Sequence, residues 1–379
     1  MKNVMKKKIF FGFLLMFLSI GFSAAAQPWW HTLEQGKRHF RDGAYGYALL
    51  SFEDARRQRR AMYEAMESDL IAMMSLAEVR LMGDSLQRVD DFARLRRYDR
   101  AAAALDEVYY RFPGNSFSNS ATAALEALSS LKDYPEAEYW IGEIYRVEGE
   151  LGLAISQFQR AHDMRPLLEN PGFDVELLYK IAGIHKLRQE YTAMERTLLT
   201  ILDNDTLWLA REEDGRVSAE SFARNAMIRT LNNEGIGRFL TLYRYDNKIV
   251  ELAHRELGMY YHATGRHNKA VEHLMFAFLI QNSTIIQEII RQEFDFTFTS
   301  LEALLPYIQR SSLLAEYAEN VEYYKTAFYL GSSLFGDGNT RSAGILWSFL
   351  ASSSRSGEWQ NRAISQLRQP RLEPAIEMP

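Results

Sequence analysis

The sequence contains no cysteine in its 379 residues. Without a thiol the chain can form neither a disulfide framework nor a thiolate metal site, and it has no cysteine for lipid attachment after a signal peptide. It also lacks an H-E-x-x-H pair of histidines and a glycine-rich loop followed by G-K-[ST]. These absences predict a protein that has no metal, no cofactor and no enzymatic activity.

Long hydrophobic runs are scarce, and the one that stands out lies near the N-terminus, from Ile9 to Phe22. Four lysines precede this run and small residues follow it up to Ala26, which is the order of a secretory signal peptide. We therefore predict a signal peptide over residues 1–26, cleaved after Ala26, and a mature protein that is periplasmic or secreted. The run is shorter than the roughly 20 residues that span a membrane. An uncleaved anchor is the alternative interpretation.

The sequence also has no excess of basic residues, because it contains 44 Lys and Arg and 49 Asp and Glu. Loss of the signal peptide would remove four lysines and shift the formal net charge from -5 to -9. An acidic protein is poorly suited to general nucleic-acid binding, which relies on neutralised phosphates. A short basic run at residues 94–100 has acidic neighbours and indicates a solvated helix face. We expect no nucleic-acid partner, and membrane contact only through an uncleaved signal or a partner protein.

The sequence does contain a spaced pattern between Tyr139 and Pro166. Counting from Gly142, an aromatic residue follows at +3, glycine at +7, alanine at +12 and +19, an aromatic residue at +16 and proline at +24. Apolar residues recur at helical spacing, which predicts helices over residues 136–148 and 151–163. Small residues at facing positions let the two helix axes approach closely. The stretch is thus predicted to be a tight antiparallel helix pair.

The same offsets recur from Gly36, Gly258 and Gly331, each followed by glycine at +7 and a large apolar residue at +16. Weaker copies begin near residues 89 and 182. The six origins are separated by 53, 53, 40, 76 and 73 residues, so further helices are expected in the gaps. We predict these further helices at residues 62–82, 121–131, 218–243 and 301–317.

These spacings resemble the tetratricopeptide repeat, whose 34-residue signature has W-x2-L-G-x2-Y, then A-x3-F, then P. Residues at matching positions are Ile141, Gly142, Tyr145, Ala154, Phe158 and Pro166, and Glu138 stands where the signature has tryptophan. The resemblance implies an all-α fold, an α-solenoid of antiparallel helix pairs in a right-handed superhelix, with irregular or extra helices between repeats. We expect N-terminal repeat-like helices at residues 27–115, the main solenoid at 116–366 and a proline-rich flexible tail at 367–379.

The resemblance also implies a concave groove lined by the first helix of each pair. In this family, the residues three before, one after and four after the origin commonly face the groove, where they would bind a segment of a protein partner. The predicted groove residues are Phe40, Tyr139, Glu143, Arg146, Tyr179, Lys186, Arg255, Met259, His262 and Phe328, with Leu33, Lys37 and Phe335 at further matching positions. Aromatic and arginine side chains are the types that dominate interface energies.

Histidine is concentrated in one stretch, where His254, His262, His267 and His273 follow each other. Two metal ligands on one helix usually lie four residues apart, whereas His254 and His262 are eight apart, about 12 Å along the axis. We therefore expect these histidines to be surface residues of the repeat helices, with no metal site among them.

The functional expectation is a non-enzymatic scaffold or adaptor of the bacterial periplasm that binds protein partners of the cell envelope, with a role in envelope assembly or transport. Stacked helix pairs leave an extended face that can order a partner segment without chemistry of its own. The main alternative is a small-ligand or lipid-binding accessory protein, because 22 Phe, 20 Tyr and 6 Trp could also close around a pocket. A third hypothesis is a self-assembling structural solenoid.

Overall fold

The computed structural model describes residues 28–73, positions 87–89, 91, 92, 95, 100, 103 and 104, and residues 132–170, 172–203, 205–209 and 219–374. The regular secondary structure of these residues is helical. The predicted signal peptide, the predicted helix at 121–131 and the predicted boundary at 115/116 lie outside the described residues. The chain divides into two compact units, Met1–Ile184 and His185–Pro379, which we call unit 1 and unit 2.

In unit 1 the structure gives bounds for five α-helices. They are α1 (Trp29–Arg41), α2 (Tyr45–Met73), α3 (Pro135–Val147), α4 (Leu151–Asp163) and α5 (Phe173–Leu187), the last of which crosses into unit 2. The expected separate helix at residues 62–82 begins instead as part of α2. No glycine or proline interrupts the chain between Phe52 and Met73, so the second helix of the first repeat has no residue that would end it.

Unit 2 contains a longer series of helices. They are α6 (Tyr191–Leu202), α7 (Thr206–Leu209), α8 (Ala219–Glu234), α9 (Ile236–Leu242), α10 (Lys248–Ala263), α11 (His267–Gln292), α12 (Leu305–Arg310), α13 (Ser312–Asn320), α14 (Tyr323–Gly336), α15 (Thr340–Ser352) and α16 (Glu358–Arg368). Helices α8 and α9 occupy the predicted region 218–243, and α12 and α13 occupy 301–317. The prediction of additional helices in these two gaps is confirmed.

The four strong copies of the sequence pattern each fold as two helices that pack against one another. These pairs are α1 with α2, α3 with α4, α10 with α11 and α14 with α15, and three residues connect the two helices of each pair. The helices predicted over 136–148 and 151–163 are observed at Pro135–Val147 and Leu151–Asp163. The local prediction of a helix pair is therefore confirmed.

The residue at +16 packs directly on the origin glycine. A Cβ atom placed on Gly142 would lie 2.7 Å from the ring of Phe158. The equivalent atom on Gly258 would lie 2.5 Å from Leu274, and the one on Gly331 would lie 2.9 Å from the indole nitrogen of Trp347. Gly36 faces Phe52 in the same way. Glycine is thus required at each origin because the second helix occupies the space of a side chain.

The glycine at +7 ends the first helix of each pair. Gly149 has a φ of +83°, in the left-handed region that favours glycine. Its backbone N–H donates to the carbonyl of Arg146, and the N–H of Glu150 donates to that of Tyr145. These two bonds satisfy carbonyls that the helix end leaves open and direct the chain into the second helix.

We predict that replacing Gly258 by alanine destabilises unit 2, because the new Cβ would meet Leu274 and could be accommodated only by moving the α10 and α11 helices apart. The expected loss in free energy of unfolding is about 1–3 kcal/mol, the usual cost of overpacking. The control is Gly344→Ala in α15, where nothing lies within 4 Å of the added atom. Alanine there should keep or raise the urea midpoint, measured by circular dichroism. Equal midpoints for the two variants would contradict the close-packing argument.

Candidate functional site

The five predicted groove residues of unit 1 lie on α1, α3 and α5, and they differ in exposure. Tyr139 and Glu143 are buried, whereas Phe40, Arg146 and Tyr179 are partly exposed. The structure therefore places three of the five at least partly at the surface. Among the further matching positions, Leu33 is buried and Lys37 is partly exposed.

The two buried residues of this set are held by polar contacts within unit 1. Glu143 lies 2.8 Å from Nη2 of Arg146 and 3.0 Å from Nζ of Lys180. The Tyr139 hydroxyl donates to Glu176 at 3.1 Å, and burial raises the pKa of this tyrosine. Their polar ends are thus already satisfied by neighbouring helices.

In unit 2 the structure buries most of the predicted groove residues. Arg255, Met259, His262 and Phe328 are each less than a tenth exposed, and Lys186 is partly exposed and bonded to Glu256. Phe328 is fully buried, so it is a packing residue and not part of an open face. The physical reason is that α16, which follows the last repeat, packs against α14. A prediction from the repeat alone has no means of including that helix.

The most specific arrangement of polar groups in unit 2 surrounds the segment after α16. Pro370 cannot continue a helix, and Gln369 before it is already out of helical geometry, with φ -145° and ψ 88°. The segment Arg371–Pro374 has no regular secondary structure, and the backbone N–H of Arg371 donates to Oε1 of Gln366 at 2.8 Å. We call this segment the C-terminal strap.

One carboxylate makes half of the hydrogen bonds between the strap and the helices. Oε2 of Glu373 accepts from Nε and Nη2 of Arg362, at 3.0 and 2.5 Å, and Oε1 accepts from the amide of Gln366 at 3.0 Å. The Glu373 side chain is 12% exposed and that of Arg362 is 20% exposed. The pair is largely shielded from water, and charge-assisted hydrogen bonds of this kind are the stronger ones in proteins.

The helices also bind the backbone of the strap. His262 Nε2 donates to the carbonyl oxygen of Glu373 at 2.8 Å, and Nδ1 of the same ring lies 2.9 Å from the hydroxyl of Ser333. Burial lowers the pKa of His262, so the ring is neutral near pH 7 and accepts the proton of Ser333 at Nδ1. The hydroxyl of Tyr329 donates to the Pro374 carbonyl at 3.4 Å. These contacts bind the backbone carbonyls of the strap and do not depend on its side chains.

Aromatic rings fix the position of the guanidinium group. The Arg362 guanidinium carbon lies 4.5 Å from the ring centre of Phe328 and 4.8 Å from that of Trp359. The Phe328 and Trp359 rings themselves lie 5.3 Å apart. A desolvated cation over aromatic faces is stabilised by the ring quadrupoles. We call His262, Tyr329, Arg362 and Gln366, with this aromatic support, the strap site.

The strap site corrects the expected start of the flexible tail and adds residues to the predicted groove positions. The tail was expected to be flexible from residue 367, but α16 continues to Arg368 and the strap is bonded to three helices up to Pro374. His262 and Phe328 came from the repeat register, whereas Tyr329, Arg362 and Gln366 were missed. The latter two lie on a helix beyond the repeat pattern. The acid three residues after Pro370 was visible in the sequence, but nothing local indicated its partners.

A second polar cluster lies in the core of unit 2, around two histidines. His254 and His273 are buried, with their Nδ1 atoms 3.1 Å apart, and His254 Nε2 lies 3.6 Å from Asp205. His262 is also buried, and His267 is partly exposed. The expectation of surface histidines is therefore wrong for three of the four. They face inward because helix packing places α10 and α11 between neighbours on more than one side.

The histidine pair is held in the neutral state by its surroundings. Burial is the main cause that lowers the pKa of both rings, and the nearby charge of Arg224 acts in the same direction. Burial opposes ionisation of Asp205, but its contacts with His254 and Tyr245 outweigh this effect and lower its pKa. Two protonated rings would place an N–H against an N–H across the 3.1 Å contact. The cluster is thus suited to a fixed neutral pair beside a carboxylate.

Within the described parts of the chain, no group of three histidine, acidic or cysteine side chains is arranged to hold a metal ion. The same residues include no helix with the length and apolar character needed to cross a membrane.

Comparison with known proteins finds a similar protein whose function is uncharacterised. No protein-family model matches the chain. An uncharacterised protein of Treponema pallidum (strain Nichols) is 24% identical over 339 residues, which cover 89% of this chain and 89% of that protein. The matched length exceeds either unit alone, so the similarity includes residues of both units.

We predict that the buried histidines make unit 2 less stable as the pH falls from 7.5 to 5.5. Their pKa is lowered in the folded protein, so the unfolded chain binds protons below about pH 6.5 that the folded chain cannot bind. A histidine that stays neutral when folded would cost about 1.4 kcal/mol over this interval.

The test is the free energy of unfolding of the wild type and of His273→Gln at both pH values. The variant should lose less stability between them by up to that amount. The charged neighbours Asp205, Arg224 and Lys269 are unchanged in the variant, so the difference in slope reports on the contacting pair His254 and His273. An unchanged slope would contradict the assignment of a neutral buried His273.

Proposed function

We propose that this protein is a non-enzymatic protein-binding scaffold or adaptor of the bacterial periplasm, and that it orders extended segments of envelope proteins along its helices. The observation that carries this proposal is the strap site. There, unit 2 binds an extended piece of chain through one side-chain carboxylate and two backbone carbonyls. These are the elements of peptide recognition, because backbone contacts supply affinity and a side-chain site supplies specificity.

The chemistry of the strap site supports binding more than catalysis. Arg362 is a permanent cation, Gln366 is neutral, and His262 donates to a carbonyl with its other nitrogen occupied by Ser333. The Ser333 hydroxyl does lie against His262 Nδ1, but Ser333 is fully buried and His262 nearly so, which closes this hydroxyl to a substrate. The side chains of the site are arranged to hold a carboxylate and a carbonyl in place.

We further propose that the helix pairs stack as a tetratricopeptide-like solenoid in a right-handed superhelix. Support comes from four pairs that share the same internal contact between an origin glycine and a large side chain. Each pair buries only one of its faces internally, so neighbouring helices are needed to cover the others. Periplasmic location rests on the predicted signal peptide at residues 1–26.

The test is photo-crosslinking in the source bacterium, with a photoreactive amino acid at Ala263 or Asn361. Both residues are exposed, and each is next in sequence to a member of the strap site, His262 or Arg362. The control position is Phe294, which is 92% exposed beyond the far end of α11. That helix has 26 residues and is about 39 Å long.

We expect an adduct with an envelope protein from Ala263 and Asn361, absent from Phe294 and lost when Arg362 is replaced by glutamate. Adducts with lipid or glycan alone would contradict the proposal and favour the small-ligand alternative. A proteinaceous adduct that persists with Arg362→Glu would place the binding surface elsewhere. No adduct from either position would contradict the proposal.

A further inference from the structure

Glu373 is the one side chain of the strap that bonds to the helices, and the other contacts of the strap are made by its backbone. Glu373 forms the ion pair with Arg362 and accepts a hydrogen bond from the side-chain amide of Gln366. By contrast, Leu372 is 52% exposed, and Pro370, Arg371 and Pro374 are exposed as well. An exposed leucine contributes little hydrophobic stabilisation, since that effect scales with the apolar area removed from water. The strap therefore lacks the apolar anchoring of an integral part of the core.

The strap site, by contrast, is built by contacts among the helices themselves. Ser333 orients His262, whose ring also lies 5.2 Å from that of Tyr329. Arg362 is stacked on Phe328 and Trp359, which belong to α14 and α16. Removal of the strap would leave these contacts in place. A binding site whose side chains are fixed beforehand loses less entropy when a ligand enters.

The strap also leaves part of the strap site unused. Nη1 of Arg362 is buried and finds no acceptor on the strap. Leaving a buried charged donor without an acceptor is unfavourable. A segment that supplied an additional oxygen beside the carboxylate would satisfy this group, and it would then bind more tightly than Arg371–Pro374 does.

We propose that the C-terminal strap is a displaceable internal competitor, and that the segment it excludes is an extended stretch of a protein partner that presents a glutamate to Arg362 and Gln366. This inference rests on the proposed protein-binding function and adds a partner chemistry and a means of regulation. The partner enters where the strap leaves, with its glutamate in the position of Glu373 and its backbone carbonyls on His262 and Tyr329.

Competition between the strap and a partner segment predicts a measurable change in the apparent affinity for the segment. If the strap occupies the strap site 90–99% of the time, the apparent affinity for a competing segment falls about 10- to 100-fold. Covalent connection favours the strap, because a short linker gives it an effective concentration of about millimolar. Weakening the strap alone should therefore increase affinity for an added peptide.

The test uses the full chain and a fluorescent peptide with blocked ends and the sequence P-R-L-E-P, which copies Pro370–Pro374. Glu373→Lys places a cation against Arg362 and should release the strap while leaving the receptor side chains intact. We expect this variant to bind the peptide at least 10-fold more tightly than the wild type, as measured by fluorescence anisotropy. Glu358→Lys, an exposed charge reversal on α16, the helix that carries Arg362, is the matched control and should leave affinity unchanged.

Two further measurements test the assigned contact. A peptide with glutamine in place of glutamate should bind the Glu373→Lys protein at least 10-fold more weakly. The single variant Arg362→Glu, whose new carboxylate repels Glu373 and releases the strap, should lose binding of P-R-L-E-P and gain binding of P-R-L-K-P, a reversal that an unfolded protein would not show. Thermal unfolding of each variant confirms that the helices remain folded.

The results that would overturn the inference differ from those that would overturn the proposed function. Equal peptide affinity of the wild type and Glu373→Lys would show that the strap is no competitor, even if the crosslinked partner at Ala263 is found. A concentration-dependent doubling of the wild-type mass, lost in Glu373→Lys, would show strap exchange between two copies and would also contradict internal competition. If Glu373→Lys binds the peptide more tightly but no crosslinked adduct forms in cells, the cellular role would instead be contradicted.

Discussion

The packing of a large side chain against a bare glycine is the interaction on which the strong helix pairs of this protein depend. In each of the four, the residue at +16 occupies the volume that a side chain on the origin glycine would need. The helix axes can approach closely only because that volume is free, and dense packing between them excludes water from the seam. The left-handed turn at the +7 glycine then sets the length of the first helix, so that the two contacting residues meet.

Two of these pairs support the strap site. Helix α11 packs on α14, and α15 packs on α16, so the surfaces of α10, α14 and α16 lie within reach of the same short segment. Two buried polar side chains of the strap site find partners: His262 has Ser333 and a carbonyl, and Gln366 has two atoms of the strap, although the strap gives no acceptor to Nη1 of Arg362. A buried polar group without such a partner would cost free energy. Hydrogen bonds and the ion pair, more than burial of apolar surface, therefore determine the position of the strap.

Features that depend on residues close together in the sequence were predicted correctly, whereas features that depend on packing between distant helices were not. Helix bounds around Gly142 were predicted to within one residue, because helix spacing and glycine turns are local properties. The histidines were placed wrongly, since burial of His254 and His273 depends on helices packing from several sides. The groove positions transferred from the repeat pattern included His262, which contacts the strap, but also Phe328, which is buried beneath α16. A register describes one helix pair and carries no information on what packs against it from outside the repeat.

The helical character of the described residues, the paired helices and the turns that join them are encoded locally, because they follow from contacts between residues within about twenty positions of each other. Which polar groups meet depends on the folded arrangement of the helices. His262 and the carbonyl of Glu373 are 111 residues apart in the chain. Arg362 and Glu373 are only 11 apart, yet their pairing needs the chain to reverse after Pro370 and needs α14 to supply the aromatic support. Such contacts depend on the positions of several helices at once, and local sequence spacing does not specify those positions.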